Sequence, residues 1–335
     1  MNSSERELFW QTLNSLQGED VKVESRKLFE TIKYPKYLFR YRAVTTNSLE
    51  SLRTNKLYFS SANYYDDPFD TFLHIDIEKI RNIFLSAFQT TETTQAVVDG
   101  VKTIFGDLIS PEQKELLTVE NVTDALSKGL VDSFLKNMLL LRDEVKKDIW
   151  SVCFSENCRN ETLWLKYAAQ HKGFVLIYDL ENKDNFLCGK QAKCDNCKMK
   201  SAMTPIYPVY YSDIAYDATD FAEYIMVNKV KQTPGVSAEN KLLDSFKLKL
   251  WEHEKITLVK KECHRYDEEW RMVICQESTK PMIEWIPDGV ILGLRMDISE
   301  ENLVISLAKE AGIKKIYKSF INAQNRLDII QIPLV

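Results

Sequence analysis

The sequence predicts an α+β protein with a single antiparallel-rich mixed sheet as its core and helical insertions around it. Two observations indicate this class. Short apolar runs typical of strands recur from residue 37 onward, and residues 75–147 change to helical periodicity. A third observation, the lack of repeats and low-complexity linkers, favours one continuous domain over 1–335. Within it we predict a helical insertion at 76–148 and a cysteine-bearing loop insertion at 180–205.

The N-terminal elements are predicted from caps and alternation. Ser4 and Glu7 have the spacing of a capping box, which predicts a first helix before Gly18. The run YLFRYRAV alternates as a strand, and LYFSS predicts the next strand after a helical turn. An aromatic and acidic turn, ANYYDDPFD, follows the second strand.

The later elements continue the same pattern. The short helix ETLWLKYAAQHKG is predicted to end at Gly173, with Trp164 and Tyr167 packed on the sheet. Two helices are predicted within 216–254, and a capped helix precedes two C-terminal strands. Further strands are predicted at 149–156, 174–179, 206–212, 268–277 and 289–296.

The composition is that of an ordinary globular chain, with 44% hydrophobic and 28% charged residues. The net charge of -5 argues against broad, non-specific binding of nucleic acid, which needs basic surface. The sequence contains neither a glycine-rich phosphate loop nor an apolar run near the roughly 18 residues that a transmembrane helix requires. It does not open with a basic and apolar leader, and its cysteines are odd in number. We therefore expect a cytoplasmic protein with reduced thiols and no membrane partner.

The segment DEEWRMV places charged residues at strand spacing. Because side chains alternate along a strand, we expect Asp267, Glu269 and Arg271 to share one face and Trp270 to lie on the other. An outward charged face over an apolar one is the commoner meaning of such a pattern. The functional alternative is a cleft in which the two carboxylates orient a ribose hydroxyl and stabilise an oxocarbenium-like centre.

Arg40 and Arg42 also lie two residues apart on a predicted strand and are expected to share a face. One alternative is an exposed face whose arginines pair with Asp or Glu. The other is a diphosphate clamp, since the guanidinium group matches phosphate oxygens in geometry.

The stretch that begins with Ser60 and Ser61 has two interpretations as well. In the local one, Asp67 and Pro68 start a turn and Phe69 fills the core. In the functional one, the serines end a strand beside a cleft, and the aromatic and acidic turn forms one wall of it.

Three cysteines, Cys188, Cys194 and Cys197, lie in a polar loop with the spacing C-x5-C-x2-C. This spacing is compatible with a structural zinc knuckle, with a fourth ligand from Cys158, His171 or His264. Unliganded thiols are the alternative.

The succession FRYR, LYFSSANYYDDPFD, CFSENCRNETLWLKYAAQHKGF and YDEEWRMV resembles the bacterial domain-of-unknown-function 2971 family. The resemblance extends from about residue 37 to about residue 295. Asp66 stands where that family has Asn, Leu163 stands where it has Met, and the cysteine loop lies outside its pattern. The family has no settled activity.

The order Arg40 or Arg42, then Ser60-Ser61, then Asp267-x-Glu269 resembles the arginine-serine-glutamate class of ADP-ribosyltransferases. This second resemblance implies an ADP-ribosyltransferase-like fold and NAD as the cofactor or substrate.

The same resemblance implies roles for single residues. Arg42, beside Arg40, would hold the diphosphate, and Ser60, with Ser61, would brace the nicotinamide side of the site. Glu269 would bond the ribose hydroxyl and stabilise the developing cation, with Asp267 and Arg271 beside it. Tyr64 or Tyr65 would stack on the nicotinamide.

Three functions remain open on the sequence alone. The leading one is transfer of ADP-ribose to a protein or nucleic-acid acceptor, or hydrolysis of NAD, in a bacterial phage-defence or toxin setting. The second is a non-catalytic interaction or sensor module of the antitoxin kind, which binds a nucleotide-like small molecule without turnover. The third is a metal-dependent nucleic-acid-processing enzyme, in which carboxylates would hold magnesium. Those carboxylates would be Asp66, Asp67, Asp70, Asp267 and Glu269.

Overall fold

The computed structural model describes residues 1–80, 95, 98–99, 102–103, 110–180, 206–231, 251–275 and 281–333. The chain forms two compact units. The first unit comprises Met1–Phe72, Lys146–Tyr216 and Lys249–Val335, and the second comprises Leu73–Val145 and Asp217–Leu248. The second unit therefore contains most of the segment predicted as a helical insertion.

The regular elements follow one another in chain order. The α-helices are α1 (Ser3–Ser15), α2 (Val21–Glu30), α3 (Thr46–Thr54), α4 (Pro111–Leu116), α5 (Val119–Asp148), α6 (Glu161–Tyr167), α7 (Thr219–Lys231), α8 (Glu252–Thr257) and α9 (Ile298–Glu310). Short 3-10 helices lie at Ala62–Tyr64 and Glu262–Asp267. The strands are β1 (Tyr37–Arg42), β2 (Lys56–Tyr58), β3 (Ser60–Ser61), β4 (Ile149–Ser155), β5 (Phe174–Asp179), β6 (Ile206–Pro208), β7 (Tyr210–Tyr211), β8 (Val259–Lys260), β9 (Glu269–Cys275), β10 (Met282–Glu284), β11 (Gly289–Leu292), β12 (Lys315–Ile321) and β13 (Leu327–Ile332).

The first unit is built on a large sheet with the strand order β13-β12-β11-β5-β1-β4-β9-β6, and β3 pairs with β4 beside this path. Within this described sheet the pairs are antiparallel except for β11 and β12, which are parallel. Two short two-stranded sheets, β2 with β10 and β7 with β8, accompany it. The predicted α+β class with an antiparallel-rich mixed sheet is confirmed.

The sheet opens between β1 and β4. These strands pair at a single register position, Phe39 opposite Ser155. Farther along, β4 pairs with β3 instead, with Ser151 opposite Ser60. On its other side β4 pairs with β9 along its whole length, from Ile149 to Ser155. The residues of β1 beyond Phe39 are therefore free of strand pairing with β4, which leaves a fork in the sheet.

The turn after α6 lies close to the end of β1. The helix ends at Tyr167, earlier than predicted, and Ala169, Gln170 and His171 all have positive φ angles of 47°, 58° and 68°. Trp164 is fully buried in the core and stacks on His171 with ring centroids 5.7 Å apart. The next glycine, Gly173, is required by close approach, because a Cβ there would lie 2.1 Å from the carbonyl oxygen of Arg42.

The predicted cap of α1 was wrong by two residues. Asn2, not Ser4, accepts the backbone N–H of Glu5 at 2.9 Å, and the Glu5 carboxylate accepts the Asn2 N–H at 2.8 Å. The residues still form a capping box, so the helix start was predicted correctly in kind.

The second unit is helical in its described residues. The side chains of Met138, Leu141 and Val145 on α5 are buried. Arg142 donates from Nε to the carbonyl of Leu73 at 3.0 Å, and Thr219 at the start of α7 accepts the N–H of Asp76 at 2.8 Å. In the ranges that the structure describes, each helix is too short or too polar to cross a membrane.

Candidate functional site

A cavity of about 390 Å³ lies in the first unit at the fork between β1 and β4. Its lining comes from these two strands, from β9, from α6 and from the segments 60–70 and 260–267. A cavity of this size is in the range of small-molecule sites. The cleft is therefore the candidate functional site.

The cleft brings together most of the residues that the sequence singled out. Those that line it are Arg40, Arg42, Ser60, Tyr64, Tyr65, Asp267, Glu269 and Arg271. Ser61 does not line it. The Ser61 side chain is buried, donates to the carbonyl of Lys146 at 3.2 Å and accepts the N–H of Asn63, so it caps the 3-10 helix Ala62–Tyr64. The predicted zinc ligands Cys188, Cys194 and Cys197 lie outside the described residues.

One wall of the cleft is organised by Arg271 on β9, whose side chain is 1% exposed. Its Nη1 and Nη2 donate to both oxygens of Asp70 at 2.7 and 2.6 Å. Its Nε donates to Oε1 of Glu269 at 2.6 Å, and Nη1 also donates to the carbonyl of Thr257 at 2.8 Å. The sequence placed Asp70 in a turn but did not predict its ion pair with Arg271.

Lys260 on β8 holds the same carboxylates from a second direction. Its Nζ donates to Oδ2 of Asp267 at 2.7 Å and to Oε2 of Glu269 at 2.9 Å, and lies 3.7 Å from Oδ2 of Asp70. We call the five residues Asp70, Lys260, Asp267, Glu269 and Arg271 the carboxylate cluster. All five side chains are buried, and each carboxylate has at least one cationic partner.

The cluster sets the ionisation of its acids. Burial raises the pKa of Glu269, but the charges of Arg271 and Lys260 outweigh it and hold that pKa far below its ordinary value. Burial likewise raises the pKa of Asp267, and here the single close contact with Lys260 does not offset it. The lowered pKa favours the ionised form of Glu269 at neutral pH, which suits it to accepting hydrogen bonds and stabilising positive charge rather than donating a proton.

Asp267 is positioned in the cluster by a 3-10 helix and not by the strand that was predicted to carry it. It ends the 3-10 helix Glu262–Asp267, and Glu268 next to it has a left-handed φ of 45°. The strand begins only at Glu269, so strand alternation does not place Asp267 beside Arg271. The ion pair with Lys260 does so instead.

Tyr65 supports the cluster, whereas Tyr64 is available to a ligand. The hydroxyl of Tyr65 is hydrogen-bonded to Ser151, and its ring lies under the Arg271 guanidinium at 5.5 Å. Ser151 in turn contacts the thiol of Cys153, whose pKa is raised to about 12 by burial and by the charge of Glu269. Tyr64 is 79% exposed at the edge of the cleft. Of the two tyrosines predicted to stack on a ligand, Tyr64 is the one whose ring is open to contact.

The opposite wall carries the arginine pair, Arg40 and Arg42 on β1. Neither forms an ion pair with any residue that the structure describes, and Arg40 has one long hydrogen bond, 3.3 Å, to the carbonyl of Tyr58. Burial and the nearby charge of Arg42 lower the pKa of Arg40 to about 10, and burial lowers the pKa of Arg42. Two partly buried guanidinium groups without a counter-charge are costly unless an anion joins them. The arginine pair therefore forms a positively charged wall of the cleft.

Lys166 and Tyr167 line the cleft, although the sequence did not single them out as ligand contacts. Tyr167 lines the cleft and is 41% exposed, whereas Trp164, which was predicted to pack beside it on the sheet, is fully buried. Beside Tyr167, Lys166 donates to the hydroxyl of Tyr266 at 2.9 Å. Phe69, predicted to fill the core, is 58% exposed under the ammonium of Lys261.

Two of the missed residues differ in whether the sequence could have revealed them. Tyr167 stands in the W-x-x-Y part of the segment that carried the family resemblance, which is a usable signal. Lys260 is one of two adjacent lysines before a short helical turn, and no local pattern separates it from its exposed neighbour Lys261.

Most of the carboxylates proposed as magnesium ligands are bound to basic side chains in this structure. Three of its five proposed carboxylates, Asp70, Asp267 and Glu269, already surround the Lys260 ammonium and the Arg271 guanidinium. Over the described residues, no group of three or more His, Cys, Asp or Glu side chains has an arrangement that could hold a metal ion.

Comparison with known proteins adds no relative. No protein-family model, no curated protein and no solved structure matches this chain.

Proposed function

We propose that the protein is an ADP-ribosyltransferase-like enzyme that binds NAD in this cleft and cleaves the bond between nicotinamide and ribose. One observation carries the proposal. A pair of arginines without acidic partners among the described residues lies in the same cleft as a carboxylate whose pKa is lowered by its cationic neighbours. A dinucleotide with a diphosphate at its centre and a positively charged nicotinamide ring at one end matches both features.

The arginine pair accounts for the diphosphate. Arg40 and Arg42 share one face of β1, so their guanidinium groups lie next to each other along the strand. Each can donate two parallel hydrogen bonds to phosphate oxygens. A bound diphosphate would also offset the burial that lowers the pKa of both side chains.

Glu269 accounts for the bond cleavage. Its two oxygens accept from Arg271 and Lys260, and a carboxylate has further lone pairs for a ribose hydroxyl. When the bond from C1′ of the ribose to the nicotinamide nitrogen breaks, its electron pair leaves with neutral nicotinamide. The ribose becomes an oxocarbenium ion, and the negative charge of Glu269 stabilises it. Ser60 and Tyr64 line the same cleft and would contact the nicotinamide side.

The sensor-module alternative draws on one specific observation. Both Glu269 oxygens are already hydrogen-bonded within the protein, which is also what a purely structural ion pair would look like. In that function the cleft would bind a nucleotide-like molecule through the arginine pair without consuming it.

The test is release of nicotinamide from NAD by the purified protein, compared with Glu269→Gln. We expect the wild type to release nicotinamide and the variant to lose at least about 100-fold in turnover, as when other transition-state charges are removed. Glu268→Gln is the matched control, because Glu268 is the adjacent glutamate and does not line the cleft. Saturable NAD binding with no turnover in either protein would support the sensor module instead. Equal turnover by Glu269→Gln would refute the role of Glu269.

A further inference from the structure

Two buried polar atoms near the carboxylate cluster have no hydrogen-bond partner among the described residues. They are Oδ1 of Asp267 and Nδ1 of His264. Both side chains line the cleft, and Asp267 is only 4% exposed. Buried polar atoms in folded proteins are paired with protein groups or with water in the great majority of cases. This pair of atoms therefore indicates a place for a polar ligand.

The other polar atoms of these two side chains are already engaged. Oδ2 of Asp267 accepts from Lys260, and Nε2 of His264 lies 3.3 Å from Oδ2 of Asp67. When the imidazole is neutral, a carboxylate oxygen beside Nε2 favours the tautomer that carries its proton on Nε2. In that tautomer Nδ1 carries a free lone pair and can accept a proton.

His264 and Asp267 are neighbours without a direct hydrogen bond between them. Nδ1 of His264 is 3.9 Å from Oδ2 of Asp267, which is too long for a direct hydrogen bond. Polar groups at such separations are commonly joined through water. A water molecule between the two side chains could donate one hydrogen to Nδ1 and the other to the unpaired Oδ1 of Asp267, and its oxygen lone pairs would stay available for another partner.

We propose that the acceptor of ADP-ribose in this protein is water, and that His264 is its general base. The inference rests on the proposed cleavage of NAD in the same cleft. After nicotinamide leaves with the bonding electron pair, the water oxygen forms the new bond to C1′ of the ribose. Its proton passes to Nδ1 of His264, Asp67 stabilises the imidazolium, and the proton is then released to solvent. The products are ADP-ribose, nicotinamide and one proton.

The experiment measures free ADP-ribose and free nicotinamide formed from NAD, without any added acceptor. Wild type is compared with His264→Gln and His264→Ala. General-base catalysis is worth about 100-fold or more, so we expect kcat to fall by about that factor in both variants while KM stays nearly constant. Added imidazole is expected to restore part of the activity of His264→Ala, because it supplies the missing proton acceptor. A merely structural role of His264 would not be rescued in this way. His74→Gln is the control, since His74 is exposed and lies outside the cleft lining.

The outcomes separate the two proposals. Loss of hydrolysis in the His264 variants with imidazole rescue supports water as the acceptor. Wild-type rates in His264→Gln, or nicotinamide release that requires an added protein or nucleic acid and yields no free ADP-ribose, overturns this inference and leaves NAD cleavage standing. Failure of the wild type to release nicotinamide under any condition removes the proposed function and this inference with it.

Discussion

The carboxylate cluster and the arginine pair are two charged regions of one cleft, and they differ in how their charges are compensated. In the cluster, Arg271 and Lys260 bind three acids through hydrogen bonds of 2.6–2.9 Å, so each acid has a cationic partner. In the arginine pair, Arg40 and Arg42 have no acidic partner among the described residues. Both regions are at least partly buried, so solvent screening alone does not explain the difference.

The paired charges stabilise the structure of the site, whereas the unpaired charges can be compensated by a ligand of opposite charge. A buried charge that is paired and hydrogen-bonded fixes the backbone segments that carry it, here β9, β8 and the turn that ends at Asp70. A buried charge without a partner raises the free energy of the empty protein, and binding of an opposite charge lowers it. We therefore expect the cluster to control stability and the arginine pair to control affinity.

The largest expected effect is on stability. Arg271→Met leaves Asp70 and Glu269 buried with less compensation, and loss of one partner of a buried ion pair costs about 3–5 kcal/mol. Arg42→Met removes a charge that has no acidic partner in the part of the chain that the structure describes, so we expect its free energy of unfolding to stay within about 1 kcal/mol of wild type. Urea denaturation followed by tryptophan fluorescence measures both.

A double-mutant cycle checks the cause of that loss. If the loss comes from the ion pair, Asp70→Asn combined with Arg271→Met costs less than the sum of the single changes. Strictly additive losses in the free energy of unfolding, or an equal loss in Arg42→Met, would contradict the different roles of the two regions.

The second effect is on affinity. Hydrogen bonds to charged groups contribute about 1.5–3 kcal/mol, so Arg42→Met and Arg40→Met should each weaken binding of ADP-ribose by about 10- to 100-fold. Isothermal titration calorimetry measures this change, and inorganic diphosphate as a second probe reports on the phosphate contacts alone. Arg53→Met is the control, because Arg53 is exposed and pairs with Glu50 away from the cleft. Unchanged affinity in both arginine variants would contradict an anion site on this wall.

The pH dependence of stability sharpens the comparison further. The pKa of Glu269 is depressed in the folded protein, so its contribution to stability is present above its unfolded value of 4.5 and is lost as pH falls toward the folded value. Lys260→Met raises the folded pKa of Glu269, which reduces the contribution at neutral pH. Each unit of pKa shift corresponds to about 1.4 kcal/mol.

The stability gap between wild type and Lys260→Met should therefore be widest at neutral pH and narrow by at least about 1.4 kcal/mol as pH falls to about 3. Urea midpoints at the two pH values give the gap. Lys260→Arg keeps the positive charge and should show no such narrowing. A gap that is constant with pH would mean that Lys260 acts by packing rather than through the charge of Glu269.

The sequence predicted which charged residues share a face of one strand, but it did not predict the contacts between distant segments. Strand alternation placed Arg40 with Arg42, and Glu269 with Arg271, because these pairs lie within single strands. It could not reveal that Asp70 binds Arg271, since 201 positions separate them and no local spacing encodes the contact. Nor could it separate paired from unpaired arginines, because that property depends on which segments the fork in the sheet brings together.

The adjacent serines Ser60 and Ser61 extend the comparison to neutral groups, with the smallest expected effects. Ser61 is hydrogen-bonded within the protein, whereas Ser60 is exposed and lines the cleft. A neutral hydrogen bond contributes about 0.5–1.5 kcal/mol. Ser61→Ala should therefore lower the free energy of unfolding by about 1 kcal/mol and leave the Kd for NAD unchanged. Ser60→Ala should leave stability unchanged and reduce kcat/KM for nicotinamide release about three- to tenfold, if Ser60 contacts the substrate. The reverse assignment, with Ser60 affecting only stability, would mean that the serines end a strand for structural reasons and that the cleft binds its ligand without them.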